Sequence, residues 1–264
     1  MKKNVWIVVL LMIIYSCKQQ PKAEDSTSIT TQTEEKEKEY PEAVARIFDA
    51  HGGLSVWKSK KTMQYELEKE TGNEKQTIDL VSRNDLIEGP NYTVGFDGEK
   101  SWILQDSTFF KSNPRFYHNL MFYFYAMPFV LADEGIIFEE VPPLDYEGQS
   151  YPGFKVSYKQ NIGDSPEDNY FLYYDAENYQ MQWLGYTVTF GKGEASNDVH
   201  YIRYNDWQKI DGLILPKSLT WHKNEGEKVR EAAATRNFVN VTITEERVPA
   251  KLFQKPAEAI YPEQ

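Results

Sequence analysis

The sequence predicts a mainly β (α+β) domain, an antiparallel meander with one helix before it and one helical segment inserted into it, and three observations carry that expectation. Hydropathy alternates with period two: "KTMQYELEKE" puts Met63, Tyr65 and Leu67 on one face and Gln64, Glu66 and Glu68 on the other. Turn signals recur between runs rich in Tyr, Val, Ile, Thr, Phe and Trp: "TGNE", "EGPN" and "FDGE", then "DAEN", "KIDG" and "NEGE". One stretch, residues 113–135, breaks the alternation and is apolar or aromatic nearly all round. No internal repeat points to a propeller or a solenoid.

In chain order, the first element is a leader. "KKN" followed by "VWIVVLLMIIY", about eleven residues, has the proportions of a signal peptide and falls short of the roughly 20 apolar residues that span a bilayer. "IYSC" (residues 14–17) resembles the lipobox of bacterial lipoproteins, with Tyr15 standing where that motif has a small residue. The resemblance implies cleavage before Cys17 and acylation of its thiol. Cys17 is the only cysteine, so no intrachain disulfide framework is available. Residues 1–16 are thus expected to be removed, and residues 17–39, polar and without aromatics, to form a disordered tether reaching about 70 Å at full stretch. The formal charge is −11, and loss of Lys2 and Lys3 makes it −13 (−11 − 2). That acidity argues against nucleic acid or an anionic membrane surface as partner.

Residues 40–264 are long enough for one domain with a substantial core. Pro41 suits a first helical turn, Val44, Ile47 and Phe48 recur at helical spacing, and "HGG" at 51–53 ends the helix, with His51 placed to serve its last carbonyls. Leu54 and Trp57 pack a short second turn. The clearest hairpins are "VGFDGEKSWIL", turning at Asp97-Gly98, and "QKIDGLILP", turning at Asp211-Gly212. Segment 113–135 opens on Asn113 as N-cap followed by Pro114, and Pro128 is expected to split it into two short helices. In "YFLYYDAENYQMQWLGYTVTF" both strand faces are bulky: Leu184, Tyr186, Val188 and Phe190 share one side and Trp183 lies on the other, which predicts two apolar layers.

This order of elements resembles the bacterial lipoprotein-sorting fold of LolA and LolB and of the mycobacterial LppX and LprG lipid carriers. "AHGGLSVW", "FDGEKSW" and "IDGLILP" together look like a family of uncharacterised bacterial lipoproteins within that fold. The resemblance covers roughly residues 40–250 as a pattern of elements. It implies a curved antiparallel half-barrel around an apolar cavity, with helices as its lid, and it transfers no individual ligand residue.

The search for chemistry returns little. The four histidines, His51, His118, His200 and His222, form no HExxH or HxH pattern, and no carboxylate stands at metal-ligand spacing. No GxSxG elbow is present, and "GKGEAS" (191–196) lacks the third glycine of a dinucleotide loop and reads as a hairpin loop. Glu66, Glu68 and Glu70 read as one solvated strand face, and His118 as a histidine satisfied by a neighbouring carbonyl. An acid and base paired only in space stays open. The expectation is therefore no enzyme, no cofactor and no metal, but a lipid-anchored protein of the bacterial cell envelope, at the outer membrane. It would bind or carry an apolar ligand (a lipid, an acyl chain or a lipoprotein) between sheet and helices, with Leu120, Phe124, Met127, Phe129 and Leu131 as contacts. The alternative is an envelope interaction module with a filled core and a protein or polysaccharide partner on its aromatic surface.

Overall fold

The computed structural model describes residues 39–158, 168–189, 198–226 and 228–262. The leader, Cys17, the tether up to residue 38, Phe190 and the "GKGEAS" loop lie outside the described residues. Within Tyr40–Gln264, helix α1 (Glu42–Ala50) and helix α2 (Leu54–Ser59) precede the strands. Strands β1 (Thr62–Leu67), β2 (Glu74–Asp79), β3 (Asp85–Gly89), β4 (Tyr92–Phe96) and β5 (Ser101–Gln105) form a first meander. A second comprises β6 (Ile136–Tyr146), β7 (Gln149–Tyr158), β8 (Tyr170–Tyr174), β9 (Met181–Tyr186), β10 (His200–Ile210), β11 (Leu213–Glu225) and β12 (Lys228–Thr244). All six turn signals read from the sequence fall between consecutive strands.

The two meanders make one twelve-stranded antiparallel sheet, ordered β5-β4-β3-β2-β1-β12-β11-β10-β9-β8-β7-β6. Pairing of β1 with β12, from Thr62↔Thr244 to Leu67↔Phe238, zips the halves together. The chain therefore leaves the sheet at one edge and re-enters at the other, so the segment after β5 must cross a face. The sheet is rolled. Arg83, in the β2–β3 turn, donates to both carboxylate oxygens of Asp133 at 2.8 and 3.0 Å. Asp133 lies just before β6, which stands eight places from β2 in the strand order. A flat sheet would separate those strands by about 38 Å, at about 4.8 Å per strand. The fold is a mainly β, curved, open antiparallel sheet with few helices.

Both faces are covered. On the inner face, Met63, Tyr65, Leu67, Leu184 and Phe238 share one core with α1, α2 and the inserted segment. On the outer face, Leu144, Tyr151, Tyr173, Trp183 and Tyr201 form a second cluster. The tip of the β6–β7 hairpin folds over it: the Tyr146 ring meets Trp183 at 4.8 Å and His222 at 5.5 Å. The predicted division of Leu184 and Trp183 between two apolar layers is what forms. At the junction of α1 and the β10–β11 turn, Gly52 has φ 108° and approaches so closely that a Cβ would stand 2.4 Å from the Gly212 carbonyl oxygen. No side chain fits there.

The inserted segment differs from expectation. It forms three pieces: α3 (Pro114–Tyr117), α4 (Leu120–Tyr125) and a 3-10 turn, Phe129–Ala132. Pro128 separates the last two, as predicted. The additional break is at Asn119, in the left-handed conformation at φ 57°. Its backbone N–H donates to Asp85 Oδ2 (2.8 Å) and its side-chain Nδ2 to the Arg83 carbonyl (2.7 Å), so partners distant in sequence interrupt the helix. β1 ends at Leu67, which puts Glu70 in the turn rather than on a strand face with Glu66.

Candidate functional site

The inner face has a closed end and an open end. At the closed end, the Phe129 ring stacks on Trp57 (4.9 Å, 7°) and stands edge-on to His51 (6.4 Å). Tyr40 closes the side, its hydroxyl donating to the Ala132 carbonyl at 3.1 Å. His51 is fully buried; its Nδ1–H donates to the Ile214 carbonyl, and its Nε2 accepts the Met181 N–H, both at 3.1 Å. That pair of bonds fixes one neutral tautomer. Burial lowers the imidazole pKa to about 4, against the small opposing pull of the Ile214 carbonyl. His51 thus cross-links β9 and β11, where its position predicted a cap for the last carbonyls of α1.

The open end is an aromatic row. Val156, Leu172, Leu184 and Leu219 are fully buried on β7, β8, β9 and β11. Two residues further along the same face, each strand carries a half-buried ring: Tyr158, Tyr170, Tyr186 and Trp221. Tyr170 and Tyr186 are cross-strand partners, and Trp221 Nε1 donates to the Tyr186 hydroxyl at 3.0 Å. Phe124 of α4 packs on this row, 5.0 Å from the Tyr186 ring and 5.9 Å from Trp221. Buried Tyr204 holds α4 in place by donating from its hydroxyl to the Phe124 carbonyl at 2.6 Å. Burial first, then neighbouring phenols and acidic groups including Asp168, raise the Tyr158 and Tyr170 pKa values well above the ordinary phenol range. The row is therefore uncharged at every physiological pH. It offers apolar surface tipped with hydroxyls, a wall suited to holding a molecule rather than transforming it.

The five contacts predicted from sequence divide between these ends. Phe124 meets the open row, and Leu120, half-buried one helical turn earlier, shares its side of α4. Met127, Phe129 and Leu131 are at most 2% exposed and belong to the core, in the stretch that packs on α2. Sequence reasoning placed Tyr186 but missed Tyr158, Tyr170 and Trp221. The available signal was a repeated pair, an aliphatic residue and an aromatic two positions apart, on strands whose adjacency a sequence does not display.

Two buried carboxylates also escaped notice. Glu74 is fully buried and accepts hydrogen bonds from Lys69 Nζ (2.7 Å), Gln76 Nε2 (2.7 Å), the Tyr117 hydroxyl (2.9 Å) and the Tyr92 hydroxyl. This satisfied cluster ties α3 to β2. Asp85, 1% exposed, has its pKa raised to about 7 by burial and by the Glu74 charge, against the pull of the Asn119 N–H. Ile78↔Asp85 pairing sets Glu74 and Asp85 four residues apart along the strands, so they do not converge on one reacting atom. His118 stacks on Phe96 (4.4 Å, 19°), and its Nδ1 lies 3.3 Å from the Asn119 side-chain nitrogen. Among the described residues, no group of three His, Cys, Asp or Glu side chains is placed to hold a metal ion.

No protein-family model matches this sequence, and no curated protein matches it. Solved structures do. The chain is similar to a DUF1329 family protein from Desulfovibrio piger, at 9% identity and a TM-score of 0.45, over 81% of this chain and 98% of that one. It is similar to a LolA superfamily protein from Nitrosomonas europaea, at 8% identity and a TM-score of 0.38, over 79% and 96%. A further similarity is to the MucA/MucB complex of Pseudomonas aeruginosa, at 7% identity and a TM-score of 0.23, over 83% and 63%.

Proposed function

We propose that this protein is a cell-envelope lipoprotein that holds an apolar molecule, such as an acyl chain, at the open end of its inner face. One observation carries the reading: half-buried aromatic rings on β7, β8, β9 and β11 stand beside fully buried aliphatic residues of the same strands, and Phe124 of α4 packs on two of them, Tyr186 and Trp221. Leu120 and Phe124 are the contacts from the helix; Tyr158, Tyr170, Tyr186 and Trp221 are those from the sheet. Met127, Phe129 and Leu131 would extend the apolar lining toward the closed end. No covalent step is part of this reading. The resemblance of "IYSC" to a lipobox supports an acylated Cys17 as its anchor, and the outer membrane is the membrane we propose for it.

The test is native mass spectrometry of the secreted Cys17→Ser protein. A lipid adduct that disappears on denaturation, and that falls at least about tenfold in Trp221→Ala and Tyr186→Ala while the fold persists, is the expected result. A bare mass at every extraction condition would remove the ligand and leave a filled-core interaction module. Metabolic labelling with an alkyne fatty acid, lost in Cys17→Ser, tests the anchor separately.

A further inference from the structure

The outer face of the second meander holds an arginine that no acid answers. Arg203 of β10 stands opposite Trp183 of β9, its guanidinium carbon 4.6 Å from the centre of that ring and 5.1 Å from the centre of Tyr151. Its Nη2 donates to the Tyr151 hydroxyl at 3.2 Å, and that hydroxyl donates onward to Gln149 Oε1 at 2.5 Å. In a chain of net charge −11, Arg46, Arg83, Arg230 and Arg247 each pair with a carboxylate; Arg203, among the described residues, pairs with none. A second observation points the same way. Arg203 Nη1 and the Nε1 of fully buried Trp183 are both buried donors without an acceptor, and none of the buried oxygens that lack a donor belongs to this cluster. Buried donors left unpaired are costly, so the cluster is short of acceptors and of negative charge.

We propose that Arg203 and Trp183 form a binding site for a carboxylate, covered by the tip of the β6–β7 hairpin. The guanidinium lies over rings, so its edge is the side left for a ligand. There one N–H of Nη1 and the remaining N–H of Nη2 match the two oxygens of a planar carboxylate, and the indole N–H is the further donor. Neighbouring groups are already committed: His222 donates from Nδ1 to the Arg230 carbonyl at 2.8 Å, and Glu147 is engaged by Tyr146. The tip is the part that yields. Residues 147–150 are exposed, and Tyr146 rests on the cluster by ring contacts, 4.8 Å from Trp183 and 5.5 Å from His222. This site is on the face of the sheet opposite the apolar row, and it stands whether or not that row holds a molecule.

The test is nuclear magnetic resonance of the isotope-labelled, secreted Cys17→Ser protein titrated with sodium acetate, at an ionic strength held constant with sodium chloride. The Trp183 indole N–H, assigned by Trp183→Phe, should move downfield saturably as an unbonded donor gains an acceptor. Arg203→Lys, which keeps the charge but loses the fork, should weaken acetate at least about tenfold, and Tyr146→Ala, which uncovers the donors, should strengthen it. N-acetylalanine binding at least about tenfold more tightly than acetate would make the ligand a polypeptide C-terminus, and no such gain would make it a free acid. An indole that acetate does not move, or that inorganic phosphate moves as readily, or acetate binding unchanged in Arg203→Lys, overturns the site. Should Trp183→Phe fail to fold, the Arg203 guanidinium resonances, assigned by Arg203→Lys, read the same event, and their indifference to acetate refutes the proposal.

Discussion

Both ends of the inner face are built from aromatic residues, yet one end is core and the other is surface. At the closed end Phe129 lies between Trp57 and His51, with α1, α2 and the 3-10 turn all stacked over the strands. At the open end Tyr158, Tyr170, Tyr186 and Trp221 have the sheet behind them and are half-buried, with Phe124 of α4 packed on Tyr186 and Trp221. Residue type does not separate these regions; the burial of each ring does. Polar groups are paired at both ends, with His51 committing both ring nitrogens inside and the Tyr186 hydroxyl accepting from Trp221 at the rim.

The largest effect that should sharpen this contrast is Phe129→Ala. Removing a fully buried ring between Trp57 and His51 leaves a cavity that two rigid neighbours cannot fill, at a cost of about 3–5 kcal/mol. Chemical denaturation should show a lower midpoint with an unchanged slope, and lipid occupancy per folded molecule should fall by less than in Trp221→Ala. A loss below about 1 kcal/mol would mean that the closed end is not sealed.

The pH dependence of stability separates two buried groups of opposite sign. His51 has its pKa lowered to about 4, so the unfolded chain binds a proton the folded chain refuses, and stability is lost as pH falls from 6.5 toward 4. The loss amounts to about 3 kcal/mol, at about 1.4 kcal/mol per pH unit. Asp85 has its pKa raised to about 7, so the folded chain binds the extra proton, and stability is lost as pH rises from about 4 toward 7. Between about pH 4.5 and pH 6.5 the two slopes oppose, and the profile of the unaltered protein should be nearly flat. Asp85→Asn should uncover the acid-side loss due to His51, and His51→Gln the alkaline-side loss due to Asp85. A steep slope in the unaltered protein within that window would show that one of these groups is not buried as described.

Much of this architecture is legible in the sequence because it is local. Turn pairs such as Asp97-Gly98 and Asp211-Gly212, the alternation in β1 and the opposite faces of Leu184 and Trp183 depend on neighbours a few residues away. The parts that were not legible depend on contacts across the fold. Asn119 breaks its helix for Asp85 and Arg83, 34 and 36 residues distant, and His51 finds its partners 130 and 163 residues away. Glu74 reads as one more acidic residue until Tyr117, 43 positions on, folds over it. The rim is intermediate: each aliphatic–aromatic pair is written locally, but that Tyr170 and Tyr186 face each other across β8 and β9, with Trp221 close enough to bond Tyr186, follows only from the fold.

The smallest stability effect carries the most functional information. Trp221→Ala removes a half-buried ring, its contact with Phe124 and a hydrogen bond to Tyr186 that water can replace, so it should cost only about 1 kcal/mol. If the rim holds an apolar molecule, the same change should cut occupancy by at least about tenfold, a ratio of binding to stability opposite to that of Phe129→Ala. Equal stability losses at the two sites would make the rim an extension of the core, and the ligand reading would then lose its support. A small loss with unchanged occupancy would instead move the ligand off this row while leaving the contrast between the two ends intact. Only the combination of a mild fold defect and a severe binding defect assigns the open end its function, because it separates a ring that holds the protein together from one that holds something else.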